Sequence, residues 1–329
     1  MHDLITIGDP VIDTHVQIAD NQASVQTNDR EESFLCFPYG QKISINDSFQ
    51  ALGGNAADVA VGASRLGLKT ALLTTLGGDA GAQLVSTKLQ AEGIATDYIM
   101  TDPKSLTRYS IILNYKSERT ILTHADKRNY AWPDNVGGAN WLYYSGLGAG
   151  FEKVQKKILQ YLKNHSSTRL AVNPGSYMLE HGRAALKDVL LQTDLLFVNL
   201  EEAEILSGTT LAKQKSVEAL LRALLALGPD EVVITDGEKG AWASTSDEWW
   251  HIAALPVKVV SKTGAGDAFA SGYLAARFYE HDIKNALQWG IANSSAVIGQ
   301  HGAQTGLQNK TGLLGLVKKY SSVTPVKQG

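Results

Sequence analysis

Short apolar runs of strand length alternate with amphipathic segments of helical length over most of this chain, and this alternation constrains the fold more than any other feature. It predicts βαβ units, in which a mostly parallel sheet carries helices on both faces. The predicted strands are residues 4–7, 70–76, 141–145, 170–173, 195–199 and 231–235. The predicted helices are residues 56–66, 80–92, 152–163, 186–192 and 217–227. Ligands of such sheets bind at the carboxyl ends of the strands, so motifs that follow strands are the first candidates for a site.

Two stretches, residues 14–49 and 108–123, break this pattern with strand-like alternation that is polar on one side. The second stretch reads as a β-hairpin that turns near residues 116–118. Neither stretch suits the interior of a parallel sheet, where both faces are buried. We therefore expect a small separate antiparallel sheet that covers the main domain as a lid, inserted in one domain of residues 1–329. Two unrelated surface excursions are the alternative.

The composition is typical of a globular protein, with 44% hydrophobic and 19% charged residues among 329. The formal net charge of −3 gives no general attraction for nucleic acid or for an acidic membrane surface. Cys36 is the one cysteine, so no internal disulfide can form, which is typical of a reducing compartment. The sequence contains no run of 18 apolar residues and no signal-peptide pattern, and we expect a cytoplasmic protein.

The sharpest motif is KTGAGD at residues 262–267, which follows an apolar run and opens a predicted helix. Small residues before a helix let the backbone N–H groups of Gly264, Ala265 and Gly266 point at one spot, where the helix dipole favours an anion. Asp267 falls in the first helical turn beside that spot. A carboxylate there can take a proton from a hydroxyl while the amides hold the group under attack, which suits phosphoryl transfer to an alcohol. Helix capping is the simpler alternative for Asp267.

The second motif is GGNAAD at residues 53–58. Gly53 and Gly54 form a turn into a predicted helix, on which Asn55 and Asp58 are three residues apart and share one face. Capping explains Asn55. Asp58 belongs to an almost wholly apolar helix and should be buried, and a buried carboxylate needs hydrogen-bond donors. Sugar hydroxyls would serve as donors.

Together the two motifs resemble the paired signatures of the PfkB, or ribokinase-like, family of carbohydrate and nucleoside kinases, and the resemblance runs from Ile7 to about Leu307. The resemblance implies one kinase domain with a Rossmann-like, mostly parallel α/β core and a small β-sheet lid. It also implies ATP and Mg²⁺ as cofactors and a small-molecule sugar or nucleoside as the acceptor.

The resemblance also implies roles for individual residues. Asp267 would be the catalytic base, and Gly264, Ala265 and Gly266 would form the anion hole. The implied substrate-binding residues are Asp13, Gly53, Gly54, Asn55 and Asp58. The implied nucleotide-binding residues are Asn199, Thr235, Gly237, Gly264, Gly266 and Asn293, the last of which would border the adenine. Asn199 and Glu202, in an N-x-x-E pattern, would organise Mg²⁺ and its waters.

Two positions depart from the family pattern. Asp58 stands where family members commonly have Asn, and an ionised carboxylate only accepts hydrogen bonds, so the hydroxyl pattern of the acceptor stays open. The usual D-T-x-G-A-G-D begins here with Ser261, Lys262 and Thr263, so the Asp that often helps to bind a monovalent cation is missing. Activation by potassium therefore does not carry over to this chain.

Two other function classes are weighed against a kinase. GLGAG at residues 146–150 resembles a dinucleotide-binding turn, yet the G-x-G-x-x-G pattern fails at Phe151, and the next strand ends in Asn173 where an acidic residue would hold the ribose. No Walker A pattern occurs, which excludes a P-loop kinase. A catalytically inactive sugar- or nucleoside-binding protein on the same fold is the second rival.

The sequence leaves the acceptor open between a sugar and a nucleoside. A nucleoside needs apolar or aromatic walls for its base. Phe34, Phe37 and Tyr39 in the predicted lid could form such walls, or they could pack two lids together in a homodimer.

Overall fold

The computed structural model describes residues 1–116, 118–124, 127–214 and 216–328. The strands of this part of the chain are β1 (His2–Ile7), β2 (Val11–Ile18), β3 (Ser24–Thr27), β4 (Ser33–Cys36), β5 (Ile45–Gly53), β6 (Thr70–Gly77), β7 (Ile99–Asp102), β8 (Tyr109–Tyr115), β9 (Glu118–His124), β10 (Ala139–Tyr144), β11 (Arg169–Val172), β12 (Leu195–Asn199), β13 (Glu231–Thr235), β14 (Ala241–Ser244), β15 (Trp249–Ile252) and β16 (Val326–Lys327). The helices are α1 (Asn55–Arg65), α2 (Ala80–Ala91), α3 (Phe151–Asn164), α4 (Ser176–Glu180), α5 (Arg183–Leu190), α6 (Leu200–Ser207), α7 (Leu211–Gln214), α8 (Val217–Leu225), α9 (Ala265–Phe278), α10 (Ile283–Ile298) and α11 (Lys310–Lys319).

One large sheet forms the centre of the molecule, with the strand order β16-β15-β14-β13-β12-β11-β10-β1-β6-β7. The strands from β13 through β7 run parallel, and β14, β15 and β16 add an antiparallel edge. The predicted, mostly parallel sheet is confirmed. The register of β12 and β13 pairs Asn199 with Thr235, so the last residues of these two strands lie side by side at one edge of the sheet.

Helices pack on both faces of this sheet, as the alternating pattern predicts. Along β12, Leu195 and Phe197 belong to one apolar cluster, while Leu196 and Val198 belong to the cluster on the opposite face. This two-residue period means that each central strand buries both of its faces. Within the described residues, no helix is long and apolar enough to cross a membrane.

The predicted lid exists as a second, four-stranded sheet with the order β5-β2-β8-β9. Strand β2 pairs antiparallel with β5 and parallel with β8, and β8 and β9 form the predicted hairpin. Ser117, inside the predicted turn, lies outside the described residues.

The lid differs from the prediction in three respects, the first of which is that the sheet is mixed and not antiparallel, because β2 pairs parallel with β8. Its strands begin at Val11 and end at Gly53, beyond the predicted bounds of residues 14–49, because β2 follows β1 after three residues and β5 runs directly into the turn before α1. Strands β3 and β4 do not join the lid sheet and form a separate two-stranded hairpin. The polar alternation of these strands identifies them as strands but carries no information on which strand they pair with.

Candidate active site

The loop before α9 enters the helix through a glycine with a positive φ. Gly264 caps the helix with a φ of 75°, a left-handed conformation that L side chains rarely adopt. It also packs so closely on Ala303 that an added Cβ would lie 2.5 Å from the Ala303 Cβ. A Cβ on Gly266 would meet only open space. The Ala265 N–H donates to the Lys262 carbonyl at 3.4 Å, and the N–H groups of Gly266 and Asp267 follow in the first turn, where backbone amides have no partner one turn earlier in the helix.

Asp267 lies in the first turn of α9 and lines a cavity of about 140 Å³. This cavity gathers residues from five elements, and its polar lining consists of Asn55, Asn173, Asn199, Glu202, Thr235 and Asp267. Burial, reinforced by the negative charge of Glu202, raises the pKa of Asp267 to about 7. Its carboxyl group is therefore poised to exchange a proton near neutral pH.

Asn199 and Glu202 are tied to each other at the start of α6. The Asn199 Oδ1 accepts from the Glu202 N–H at 2.9 Å, and the Glu202 Oε2 accepts from the Asn199 N–H at 2.9 Å. This reciprocal capping box orients both side chains. Burial first, and then the neighbouring Glu201, raises the pKa of Glu202. The second carboxylate oxygen of Glu202 takes no part in the cap.

The donor set of this cavity fits a magnesium ion and not a tightly caged metal. The described residues contain no group of three or more His, Cys, Asp or Glu side chains that could hold a metal. Mg²⁺ prefers oxygen ligands and keeps several waters, so one or two carboxylates suffice. Glu202 and Asp267 supply two carboxylates in one cavity, and Asn199 supplies an amide oxygen already engaged in the cap.

Asn55 is held in place by a residue that the sequence analysis did not assign to the site. Its Nδ2 donates to the Asn173 Oδ1 at 3.0 Å, and the Asn173 Nδ2 donates to the Phe197 carbonyl at 2.9 Å. The Tyr143 hydroxyl donates to the same Asn173 oxygen at 3.3 Å. Asn173 therefore links the carboxyl end of β11 to the start of α1, and its position after a predicted strand was the available signal.

Asp58 is buried as predicted, with 3% of its surface exposed, and a second unassigned residue supplies its donor. The Gln304 Nε2 donates to the Asp58 Oδ1 at 2.6 Å. Burial raises the pKa of Asp58 well above its ordinary value, and the charges of Asp267 and Asp13 act in the same direction. Three carboxyl groups thus interact across the helix starts of α1 and α9 and the strand β2.

Asp13 and the glycine pair lie where the lid meets the core. Asp13 is half-buried on β2, and burial raises its pKa, while a Ser110 hydrogen bond and the charge of Arg119 oppose that shift. Gly53 lies against the Asp13 carboxylate. Gly54 has a φ of 96°, and an added Cβ would lie 2.5 Å from the Asp9 carbonyl oxygen, so both conformation and space require glycine there.

Only some of the predicted nucleotide-binding residues line the cavity beside Asp267. Thr235 lines the cavity beside Asn199. Gly237, with a φ of 48°, begins a single 3₁₀ turn after β13 and does not line the cavity.

Asn293 needs a correction. It is fully buried, its Nδ2 donates to the Ala268 carbonyl and to the Ser271 Oγ, and its Oδ1 accepts from the Gln308 N–H. These bonds occupy both ends of the amide, so the side chain joins α9 to α10 and cannot reach a nucleotide.

A buried ionic cluster fixes the connections between core and lid. Arg128, which follows β9, contacts the Asp9 Oδ1 at 3.1 Å and donates to the carbonyls of Thr75 and Leu106. The Tyr130 hydroxyl donates to the Asp9 Oδ2 at 2.6 Å. Asp9 precedes β2, Leu106 precedes β8 and Arg128 follows β9. This cluster therefore holds together three of the chain segments that connect the core to the lid.

The aromatic residues proposed as walls lie elsewhere. Phe34 lies in the β3–β4 hairpin with 50% of its surface exposed, and Phe37 and Tyr39 follow it with 37% and 103% exposed. None of the three lines the cavity beside Asp267 or the cavity under the lid. Phe49 on β5 instead lines the lid cavity, stacked on His15 at 4.6 Å between ring centroids.

Comparison with known proteins identifies the family. The model of the pfkB family carbohydrate kinases matches residues 23–310, and this chain belongs to that family. The ribokinase of Staphylococcus aureus (strain COL) is 25% identical over 279 residues, which cover 82% of this chain and 89% of that protein. The fructokinase of Vibrio alginolyticus is 25% identical over 281 residues, which cover 80% of this chain and 90% of that protein.

Solved structures show the same fold. The nucleoside kinase of Methanocaldococcus jannaschii superposes with a TM-score of 0.76 at 21% identity, over 96% of this chain and 98% of that one. The ribokinase of Arabidopsis thaliana, complexed with ribose and ATP, gives a TM-score of 0.78 at 19% identity, over 96% and 99%. The fold is therefore ribokinase-like, and the family match leaves the dinucleotide-dependent oxidoreductase without support.

Proposed function

We propose that this protein is an ATP-dependent kinase that transfers the γ-phosphoryl group to a hydroxyl of a sugar. The observation that carries the proposal is the position of Asp267, which lies in the first turn of α9 and in one cavity with Asn199, Glu202 and Thr235. In this proposal the cavity holds a proton acceptor, the amides at the start of α9 and a magnesium-type donor set. These are the parts that phosphoryl transfer requires.

In the proposed reaction Asp267 takes the proton of the acceptor hydroxyl. The hydroxyl oxygen forms the new bond to the γ-phosphorus, and the bond from that phosphorus to the bridging oxygen breaks, with its electron pair leaving on ADP. The amides of Gly264, Ala265 and Gly266 stabilise the charge on the transferring group. Mg²⁺, when bound, neutralises phosphate charge, and Glu202 with Asn199 would hold its waters.

The proposed acceptor site lies between the lid and the starts of α1 and α9. Asp13, Asn55 and Asp58 would receive or orient the acceptor hydroxyls beside Gly53 and Gly54. The hydrogen bond from Asn55 to Asn173 leaves the Asn55 carbonyl oxygen as an acceptor for a substrate hydroxyl.

The nucleotide would extend from the anion hole past Thr235 and Gly237. The structural relative from Arabidopsis thaliana is a complex with ribose and ATP, which supports a sugar and ATP as the two ligands here. Asn293 has no place in this proposal, because its amide is fully used inside the helical layer.

A nucleoside acceptor is the second candidate, and the stacked pair of His15 and Phe49 favours it, since that pair offers an aromatic surface under the lid. The decisive experiment is ADP release with ATP and Mg²⁺ against a panel of pentoses, hexoses, sugar acids, sugar phosphates and ribonucleosides. Turnover with a sugar supports the first candidate, and turnover with ribonucleosides alone supports the second. Binding of a sugar without ADP release would identify an inactive binding protein.

Pairing of two lids into a homodimer remains part of the proposal. Phe34, Phe37 and Tyr39, on which the predicted pairing depends, have 50%, 37% and 103% of their surface exposed. Contiguous exposed apolar surface is typical of protein interfaces. We expect light scattering to give twice the monomer mass at micromolar concentration, and the monomer mass alone would refute the pairing.

A further inference from the structure

A second and larger cavity lies under the lid. Its volume is about 580 Å³, against about 140 Å³ for the cavity that contains Asp267. Its roof is the inner face of the lid sheet, with His15, Gln17, Phe49 and Asn114. Its floor is the loop of residues 259–263 that leads into the anion hole, with the turn at residues 301–302. Of the two candidate functions above, only the nucleoside kinase uses this space, through the stacked rings of His15 and Phe49.

The walls of the lid cavity carry an excess of positive charge. Lys116, Arg119 and Lys262 line it, against one carboxylate, Glu118. In the part of the chain that the structure describes, none of the three cations forms an ion pair. Like charges gathered in a concave site raise the local concentration of ligands of opposite charge. An anionic ligand is therefore the occupant that these walls favour.

Arg119 is the best placed of the three cations. Its Nη1 donates to the Thr263 Oγ1 at 2.5 Å, which brings the lid edge strand β9 against the residue before Gly264. A guanidinium has five N–H donors in a planar fork that matches carboxylate and phosphate groups, so most of its donors remain for a ligand. Its charge also acts on Asp13 and helps to lower the pKa of His15, which places it within electrostatic range of both.

The lid cavity lies within a sugar's length of the proposed acceptor site. Residues 13, 15 and 17 alternate onto one face of β2, and consecutive members of such a row are roughly 7 Å apart. Asp13 belongs to the proposed acceptor site, while His15 and Gln17 line the lid cavity. An acceptor whose reacting end lies near Asp13 and Asp267 therefore extends along β2 toward Arg119 and Lys116.

We propose that the lid cavity binds an anionic group of the acceptor, so that the preferred substrate is a sugar that carries a carboxylate or a phosphate. This inference rests on the proposed kinase function and narrows its substrate class. Arg119 would pair with the anion, and Lys116 and Lys262 would add charge. Neutral pentoses and hexoses would leave these three cations without a partner.

The first test measures kcat/KM for ADP release with neutral sugars, aldonic and deoxy-keto-aldonic acids, and sugar monophosphates. We expect the best anionic acceptor to exceed the neutral sugar of the same chain length by at least about 100-fold, since two charge-assisted hydrogen bonds are worth roughly 3 kcal/mol or more. A comparison of the sugar acids with the sugar phosphates in the panel decides whether the preferred anion is a carboxylate or a phosphate. A neutral sugar as the best acceptor would overturn the inference and leave the proposed kinase function intact.

Variants test whether the cavity is the cause. Arg119→Gln and Lys116→Gln should each raise the KM for the anionic acceptor about tenfold with the KM for ATP unchanged, and should lower the ratio of kcat/KM for the anionic over the neutral sugar by about the same factor. Lys42→Gln makes the same charge change at an exposed position outside the cavity and should alter none of these values. An increase in the KM for ATP in place of the acceptor would show that Arg119 serves the nucleotide and would overturn the inference.

A binding measurement covers the case in which no acceptor of the panel is turned over. Gluconate and glucose 6-phosphate, added with ADP, should raise the Tm of the wild-type protein more than glucose does, and Arg119→Gln should abolish the difference. That result without turnover would support the anion site and contradict the kinase function. Equal shifts for all three probes, or shifts that survive in Arg119→Gln, would overturn the anion site.

Discussion

The two cavities on either side of the anion-hole loop differ in charge and in the freedom of their side chains. The cavity that contains Asp267, here called the core cavity, holds the carboxyl groups of Asp267 and Glu202. Its polar groups are fixed by hydrogen bonds such as those of the cap between Asn199 and Glu202. The lid cavity contains Lys116, Arg119 and Lys262 on exposed strand and loop positions, and none of them forms an ion pair with another residue that the structure describes. The difference teaches that the groups proposed for proton transfer lie where folding fixes their geometry. The groups proposed for selectivity lie where side chains can change without disturbing the core.

We expect the largest effect on turnover from the replacement of Asp267 in the core cavity. Asp267→Asn should lower kcat by about 10²- to 10⁴-fold, because it removes the general base while leaving the side-chain shape. Steady-state ADP release measures the loss, and calorimetric titration should find ATP binding retained. Asp282→Asn, which replaces a carboxylate that caps α10 and lies outside the cavity, is the matched control. If both variants retain normal turnover, Asp267 is only a helix-start carboxylate.

The pH profile sharpens the same point without a mutation. The carboxyl group of Asp267 has a pKa of about 7 and acts as a base only when ionised. We therefore expect kcat/KM to fall about tenfold per pH unit below that pKa and to level off above it. A profile that stays flat down to pH 5, where an ordinary Asp is still ionised, would contradict the raised pKa as well as the role.

A smaller effect is expected at the magnesium-type donor set. Glu202→Gln should raise the Mg²⁺ concentration for half-maximal rate about tenfold, because a charged contact worth about 1.5 kcal/mol is lost while Gln can still complete the capping box. Glu201→Gln, at the exposed neighbouring position, should leave the Mg²⁺ dependence unchanged. Equal Mg²⁺ dependence in both variants at saturating ATP would reduce Glu202 to its capping role.

Asp58→Asn should stabilise the protein, because the ionised Asp58 carboxylate is buried and also lies near the charges of Asp267 and Asp13. The folded-state pKa of Asp58 is raised, so the native state prefers its neutral form, and the wild type loses stability as pH rises from the unfolded value of 3.8 through the folded pKa. We expect the variant to gain about 1 to 3 kcal/mol in unfolding free energy at pH 8 and almost nothing at pH 4. Denaturant titrations at both pH values, with the exposed Asp29→Asn as control, would disprove this if the gain were absent at pH 8.

The smallest effect is expected from potassium. The Ser261 Oγ donates to the Thr263 Oγ1 and accepts from the Thr263 N–H, both at 3.2 Å, and the exposed ammonium of Lys262 follows. A hydroxyl and a positive charge replace the carboxylate that would attract the ion. Exchange of potassium for a bulky organic cation at constant ionic strength should change turnover less than twofold. Strong activation by potassium would show that other groups on this loop form the site.

The sequence pattern predicted the features that depend on neighbouring residues, such as the bounds of strands and helices. The bounds of β12 and β13 agree with the prediction residue by residue, and those of α1 and α2 agree within one residue. The helix starts that hold Asn55 and Asp267 were predicted because glycine turns and small residues are local signals.

Partners distant in sequence could not be predicted in this way. Gln304 donates to Asp58 across 246 positions, and Asn55 meets Asn173 across 118. No periodicity links such pairs, since only the packing of α1 against the rest of the core brings them together. Asn293 failed for a related reason, because its place in a helix was inferred but not the direction in which its side chain points.

The reciprocal cap at the start of α6 gives Glu202 a structural role in addition to its proposed role in holding magnesium. Replacement by Gln preserves the backbone partner and loses only the charge, whereas Ala loses the partner as well and leaves the first turn of the helix frayed. A library of all twenty residues at this position would therefore separate into three groups of variants: those that fold and are active, those that fold and are inactive, and those that fail to accumulate.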